Sequence, residues 1–108
     1  MPLYMTQFGY TAQAWAALAK KPEDRGVAFA KLIESFGGKF KDIYYCFGDY
    51  DGVVIYEAPD NETATAAIIA ATAPGHLKST KTTPLFTMQQ TMKVLEKAGR
   101  AAYPAPKG

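Results

Sequence analysis

Two short apolar runs, Ile43-Tyr44-Tyr45-Cys46-Phe47 and Val53-Val54-Ile55-Tyr56, stand on either side of the turn Gly48-Asp49-Tyr50-Asp51, and neither has a polar face. A strand in a sheet covered by helices on one side alternates apolar and polar residues. A strand apolar at every position needs cover on both sides. The chain therefore predicts a hairpin of two well-buried strands and a shield for its second face that its own helices do not provide. The run continues into Glu57-Ala58-Pro59-Asp60, where Pro59 ends the strand and Asp60 can cap a helix.

Leu3 to Phe8 reads as a first strand, with Tyr4, Thr6 and Phe8 on one face, Leu3, Met5 and Gln7 on the other, and Gly9-Tyr10 as its break. Thr11 caps a short helix carrying Trp15 and Leu18. Pro22 interrupts it and suits the first turn of the next helix, where Glu23 and Asp24 complement the dipole. Phe29, Leu32, Ile33 and Phe36 fall at i, i+3, i+4 and i+7, the stripe of a helix lying on a core, and Gly37-Gly38 stops it. Phe40 to Phe47 is the second strand and Gly52 to Ala58 the third. With residues 48–52 as the connection, Tyr45 opposes Ile55 on one face, while Tyr44 opposes Tyr56 and Cys46 opposes Val54 on the other; a connection one residue shorter inverts this parity. Ala64, Ala67, Ile68 and Ala71 mark a second main helix, ended by Ala73-Pro74-Gly75. His76 to Phe86 is a fourth strand, with Pro84 signalling an edge or bulge. Thr87 to Gln90 is a capping box that opens a last helix, with Met88, Met92 and Leu95 inward and Gly99 at its end.

With right-handed crossovers this order gives an α+β fold, a ferredoxin-like βαββαβ sandwich with a four-stranded antiparallel sheet, its main helices on one face, plus a C-terminal helix. Residues 1–99 read as one domain and 100–108, with Pro104 and Pro106, as an irregular tail. The bare face is expected to carry Tyr4, Thr6, Tyr44, Cys46, Val54 and Tyr56. So much apolar and aromatic surface calls for a second copy packed face to face through a twofold axis, a homodimer.

Composition removes several function classes. At 48% hydrophobic and 20% charged residues the chain is globular rather than disordered, and a net charge of +2 does not by itself argue for a polyanion partner. Cys46 is the only cysteine, so no intrachain disulfide is possible, and its apolar neighbours read as those of a small buried hydrophobe. Met1-Pro2 leads directly into strand sequence without an export signal, and no apolar run reaches the roughly 20 residues of a spanning helix, so the expectation is a cytoplasmic protein with no membrane partner.

The residues Gly48, Tyr50 and Asp51, together with Thr11, Gly37-Gly38-Lys39, Tyr44-Tyr45, Glu57-Ala58-Pro59-Asp60 and Gly75, resemble the GYD domain family over about residues 2–98. The resemblance implies a ferredoxin-like fold of the dimeric α/β barrel type and no assigned activity. It departs at Lys78-Ser79-Thr80-Lys81-Thr82-Thr83-Pro84, where many members carry an arginine.

Candidate chemistry gathers on a few side chains. Asp49 and Asp51 serve either as turn residues bonded to backbone N–H groups or as a proton acceptor or polar anchor at the barrel mouth. His76, the only histidine, follows a Pro-Gly break and is either a surface residue or a catalytic one. Tyr4, Thr6, Tyr44, Tyr45 and Tyr56 either pack an interface or line a cavity between two sheets, with rings for a small ligand and hydroxyls to orient it. No spacing of paired ligands indicates a metal, and Gly48 and Gly52 sit in a hairpin rather than before a helix, so neither a phosphate loop nor a cofactor is expected. The Lys/Arg-Gly-aromatic pattern of RNA-recognition modules is absent, which argues against a nucleic-acid partner. Two readings follow: a homodimeric assembly or small-molecule-binding domain, or a cofactor-independent enzyme, isomerase or monooxygenase-like, acting on a small aromatic or polyketide-like substrate in the inter-sheet cavity.

Overall fold

Every second side chain of the first strand is buried, and that alternation decides which face of the sheet the helices take. A computed structural model describes residues 1–107; Gly108, the last residue of the expected tail, lies outside the described residues. The elements are β1 (Leu3–Tyr10), α1 (Ala12–Lys20), α2 (Arg25–Ser35), β2 (Lys39–Tyr45), β3 (Gly52–Glu57), α3 (Asn61–Thr72), β4 (Leu77–Leu85) and α4 (Met88–Gly99). The sheet order is β2-β3-β1-β4 with all neighbours antiparallel, the ferredoxin-like arrangement.

Each helix begins as its sequence dictates. The side chains of Thr11, Asp24, Asp60 and Thr87 accept hydrogen bonds from the backbone N–H of Ala14, Val27, Thr63 and Gln90, and Gln90 closes the capping box on Thr87. Caps of this kind contribute about 1 kcal/mol each. Pro22 stands outside α2, which starts after Asp24. That helix ends where Gly37 takes a positive φ of 81°, and the Gly38 N–H returns to the Ile33 carbonyl at 2.8 Å.

Register places Tyr4 opposite Tyr56, Thr6 opposite Val54 and Phe8 opposite Gly52, and on the far side Ile43 opposite Val54 and Tyr45 opposite Gly52. This set lies beneath α2 and α3, where Tyr4, Phe8, Tyr10, Val54 and Tyr56 join Ile33, Ala64 and Ala67 in the core. Here the structure corrects the sequence reading. Tyr4, Thr6, Val54 and Tyr56 are under the helices, not on the bare face. The β2–β3 connection is residues 46–51, so the pairing parity is inverted, and a bulge between Phe40 and Asp42 shifts it again. The tyrosines can be buried because their hydroxyls are satisfied: Tyr4 donates to Asn61 Oδ1 at 2.6 Å, and the Tyr56 hydroxyl meets Thr6 Oγ1 at 2.8 Å.

The open face is therefore built by Leu3, Met5 and Gln7 of β1, Val53, Ile55 and Glu57 of β3, Asp42 and Tyr44 of β2, and Lys81, Thr83 and Leu85 of β4. Three further differences are local. Strand β1 runs on through Gly9-Tyr10 with a register shift against β4 instead of breaking there. Cys46 lies beyond the end of β2 as an exposed free thiol rather than a buried hydrophobe. Helix α4 is amphipathic as read, but Met88, Met92 and Leu95 are 70%, 52% and 57% exposed instead of inward, and among the described residues the helix makes no extensive contact with another element. Its apolar stripe is left largely exposed among the described residues. Among the described residues no helix is long and apolar enough to cross a membrane.

Candidate functional site

Alanines along α3 leave room that larger side chains would fill. Between α2, α3 and the sheet lies a cavity of about 190 Å³, walled by Phe29, Leu32, Ile43, Val54 and Ile68 and reaching Tyr10, Arg25 and His76 at one end. A second cavity of about 360 Å³ beneath α1, bordered by Leu18, Lys21 and Glu23, meets the same three residues. Tyr10, Arg25 and His76 thus form the boundary between an apolar hollow and a more polar one.

Tyr10 is held there by Asp51. The Asp51 Oδ2 accepts from the Tyr10 backbone N–H at 2.8 Å and from the Trp15 indole N–H at 3.1 Å. Its own N–H donates to the Phe8 carbonyl at 2.8 Å, and its carbonyl accepts from the Cys46 N–H at 2.9 Å. One turn residue therefore ties the β2–β3 loop to the end of β1 and to α1. Gly52 follows because the Phe8 ring lies on its α-carbon, where a β-carbon would collide. The Thr11 N–H donates to the His76 carbonyl at 3.0 Å, fixing the start of β4 beside the start of α1.

Aromatic rings surround Tyr10: Trp15 at 5.0 Å and Phe8 at 5.3 Å edge-on, with Tyr45 and His76 at 6.2 Å between centroids. The Tyr10 and Tyr45 hydroxyls are 2.9 Å apart. Burial, and then the Tyr45 hydrogen bond, push the Tyr10 phenol well above its usual value, against an opposing pull from Arg25. Burial and then the Arg25 charge push His76 down, favouring its neutral form. Arg25 gives one N–H group to Glu23 Oε1 at 2.6 Å. Deeper in the core, Thr6 Oγ1 lies 2.8 Å from both the Tyr56 hydroxyl and Thr82 Oγ1, and Thr6 faces the cavity floor.

Of the residues singled out in the sequence, Asp51 and His76 come together around Tyr10, and Thr6 borders the cavity. Tyr4 and Tyr56 are packed in the core. Tyr44 lies on the open face, its hydroxyl donating to Asp42 Oδ2 at 2.7 Å, which lowers the Asp42 carboxyl and raises the Tyr44 phenol. Asp49 is exposed in the loop. Among the described residues no group of His, Cys, Asp and Glu is arranged to hold a metal. Sequence reasoning missed Tyr10, Trp15 and Arg25 as members of the site, while Tyr45, read as a cavity or interface ring, does pack beside Tyr10. Tyr10 keeps the two-residue phase of Tyr4, Thr6 and Phe8, a signal masked by Gly9. Arg25 occupies the first turn of α2, where the helix dipole disfavours a cation, so its placement needs a reason outside the helix.

The GYD domain family model matches residues 4–95. The chain belongs to the GYD domain family. No curated protein matches it by sequence. Among solved structures, this GYD domain is similar to MtbAldR (15% identity, 80% of this chain and 53% of that one, TM-score 0.59). It is also similar to TTHA0845 from Thermus thermophilus (16% identity, 97% of this chain and 100% of that one, TM-score 0.51). This GYD domain spans about half the length of MtbAldR. At such identities the likeness is one of fold.

Proposed function

We propose that this GYD domain is a homodimeric, non-catalytic small-molecule-binding domain whose open sheet face is covered by a second copy, giving the dimeric α/β barrel arrangement. One observation carries the assembly: among the described residues no helix covers the half-buried Leu3, Met5, Val53, Ile55 and Leu85 face, and the Met88, Met92 and Leu95 stripe of α4 is exposed. A contiguous apolar sheet face of this kind marks an interaction surface. Its charges favour self-pairing, since Glu57 and Asp42 share the face with Lys81, and a twofold axis can bring opposite signs together. The sheet–helix cavity supports the binding half of the reading. His76 and Asp51 lie at its end of the molecule, on the side away from the open face, so an acid–base pair in an inter-sheet space draws no support from them. An exposed free thiol at Cys46 fits a reducing, cytoplasmic setting.

Light scattering at micromolar concentration is expected to give twice the 11.7 kDa chain mass. Ile55→Asp, which places a charge at the centre of the open face, is expected to give the monomer with unchanged far-ultraviolet circular dichroism. A monomeric wild type, or an Ile55→Asp variant that stays dimeric, overturns the assembly.

A further inference from the structure

We infer that the cavity between α2 and α3 takes an apolar monocarboxylate, its hydrocarbon body between Phe29, Leu32 and Ile68 and its carboxylate at Tyr10, Arg25 and His76. The inference rests on the binding half of the reading above and is independent of the dimer. Size is the first support. An apolar cavity of roughly 150 Å³ admits a benzene-sized guest, and this one, at about 190 Å³, is walled mostly by apolar side chains and is open to the surface. An unbranched or aromatic body of moderate length fits that space better than a sugar or nucleotide, whose hydroxyls would find few partners on such walls.

Polarity at the end is the second support. The hollow terminates at a guanidinium, an imidazole and a phenol, and the second cavity brings Lys21 and Glu23 to the same place. Arg25 and Lys21 are the cations at this end; Glu23 pairs with Arg25, and the Asp51 carboxylate is committed to the Tyr10 N–H and the Trp15 indole. Arg25 spends one N–H group on Glu23, and its side chain is 32% exposed, so the rest of its planar fork is accessible from the cleft. A guanidinium has five N–H donors in a geometry that matches a carboxylate. The Tyr10 hydroxyl, paired with Tyr45, adds a polar partner beside it.

The location explains an otherwise unfavourable choice. A cation in the first turn of α2 works against the helix dipole, and His76 is made harder to protonate by burial and by that same cation. A carboxylate bound between them offsets the first and makes protonation of His76 easier.

The test is calorimetric titration of the full chain with decanoate and with decanol, each below its micelle-forming concentration, alongside the ring signals of His76, the only histidine. Decanoate is expected to bind and to shift the His76 signals. Arg25→Gln is expected to weaken decanoate about tenfold or more, the loss of one charge-assisted contact, while leaving decanol unchanged. Ala71→Phe, which fills the cavity, is expected to remove both ligands; Ala28→Leu serves the same purpose from the opposite helix should the first fail to fold. If Arg25→Gln binds decanoate as well as wild type, or decanol matches decanoate, the carboxylate assignment falls and the binding domain stands. If decanoate fails to bind at millimolar concentration and decanol fails to bind up to its solubility limit, or both survive the filled cavity, the binding reading falls with it.

Discussion

Ile55 and Tyr56 are neighbours in β3, yet the first faces outward on the open side and the second is completely buried beneath α2. Both sides of the sheet are apolar, but they are apolar in different ways. The covered side holds Tyr4, Thr6, Tyr10 and Tyr56, each hydroxyl paired within the chain, together with rings that interlock, such as Phe29 edge-on to Tyr56 at 5.2 Å. The open side holds Leu3, Met5, Val53, Ile55 and Leu85, aliphatic groups that need only exclusion from water. Hydrophobicity alone does not distinguish an inner face from an assembly face; the availability of hydrogen-bond partners does, because a phenol can be buried only where its oxygen is satisfied.

The strongest way to break this contrast is Tyr56→Ala. It removes a fully buried ring and one of the two hydroxyl partners of Thr6, so chemical denaturation should show a loss of about 3–5 kcal/mol. Ile55→Ala, one residue away, should cost the isolated chain clearly less; equal losses from the pair would mean that both faces are closed within one chain. An intermediate effect is expected at the end of the covered face. Asp51→Ala leaves the Tyr10 N–H and the Trp15 indole without their acceptor and should cost about 1–3 kcal/mol, with a change in tryptophan emission. Unchanged stability and emission would remove Asp51 from the scaffold of the site.

The smallest effect is one of pH. His76 has its folded-state pKa lowered, first by burial and then by Arg25, so between the folded and unfolded values the unfolded chain binds more protons. Stability is then full above the ordinary value of 6.5 and declines as pH falls through it, until the folded histidine also protonates. His76→Gln should flatten that decline in a denaturation series. A wild-type stability that rises on acidification through this range would show that the ring is stabilised in its charged form.

Much of this architecture is legible in the residues. The helix caps at Thr11, Asp60 and Thr87, the glycine stop after α2, the edge position of Pro84 and the order of strands and helices follow from local chemistry, and the structure agrees with each; the cap of α2, Asp24, reads in the sequence as a first-turn residue instead. What escaped reading was the parity of the β2–β3 hairpin. It depends on the length of a loop whose residues Cys46 and Phe47 look like strand, and on a bulge at Lys41 that no turn residue announces. The inward direction assigned to Met88, Met92 and Leu95 failed for a different reason. Periodicity specifies that a helix has an apolar side and is silent on whether the same chain supplies what that side meets. The cleft was invisible because it arises from small residues, Ala28, Ala70 and Ala71, whose message is the absence of side chain, and because Tyr10 and Arg25 meet only in three dimensions.

The linked oxygens of Tyr56, Thr6 and Thr82 run across β3, β1 and β4. A slip of any of these strands by two residues would keep every apolar group facing inward, so greasiness cannot penalise it. A slip between β1 and β3 would, however, part the buried Thr6 and Tyr56 hydroxyls, and this error is the costly one. The alignment of three strands is thereby proofread by a thread of polar atoms, and a Thr6→Val chain should keep its fold class while losing the sharpness with which that alignment is chosen.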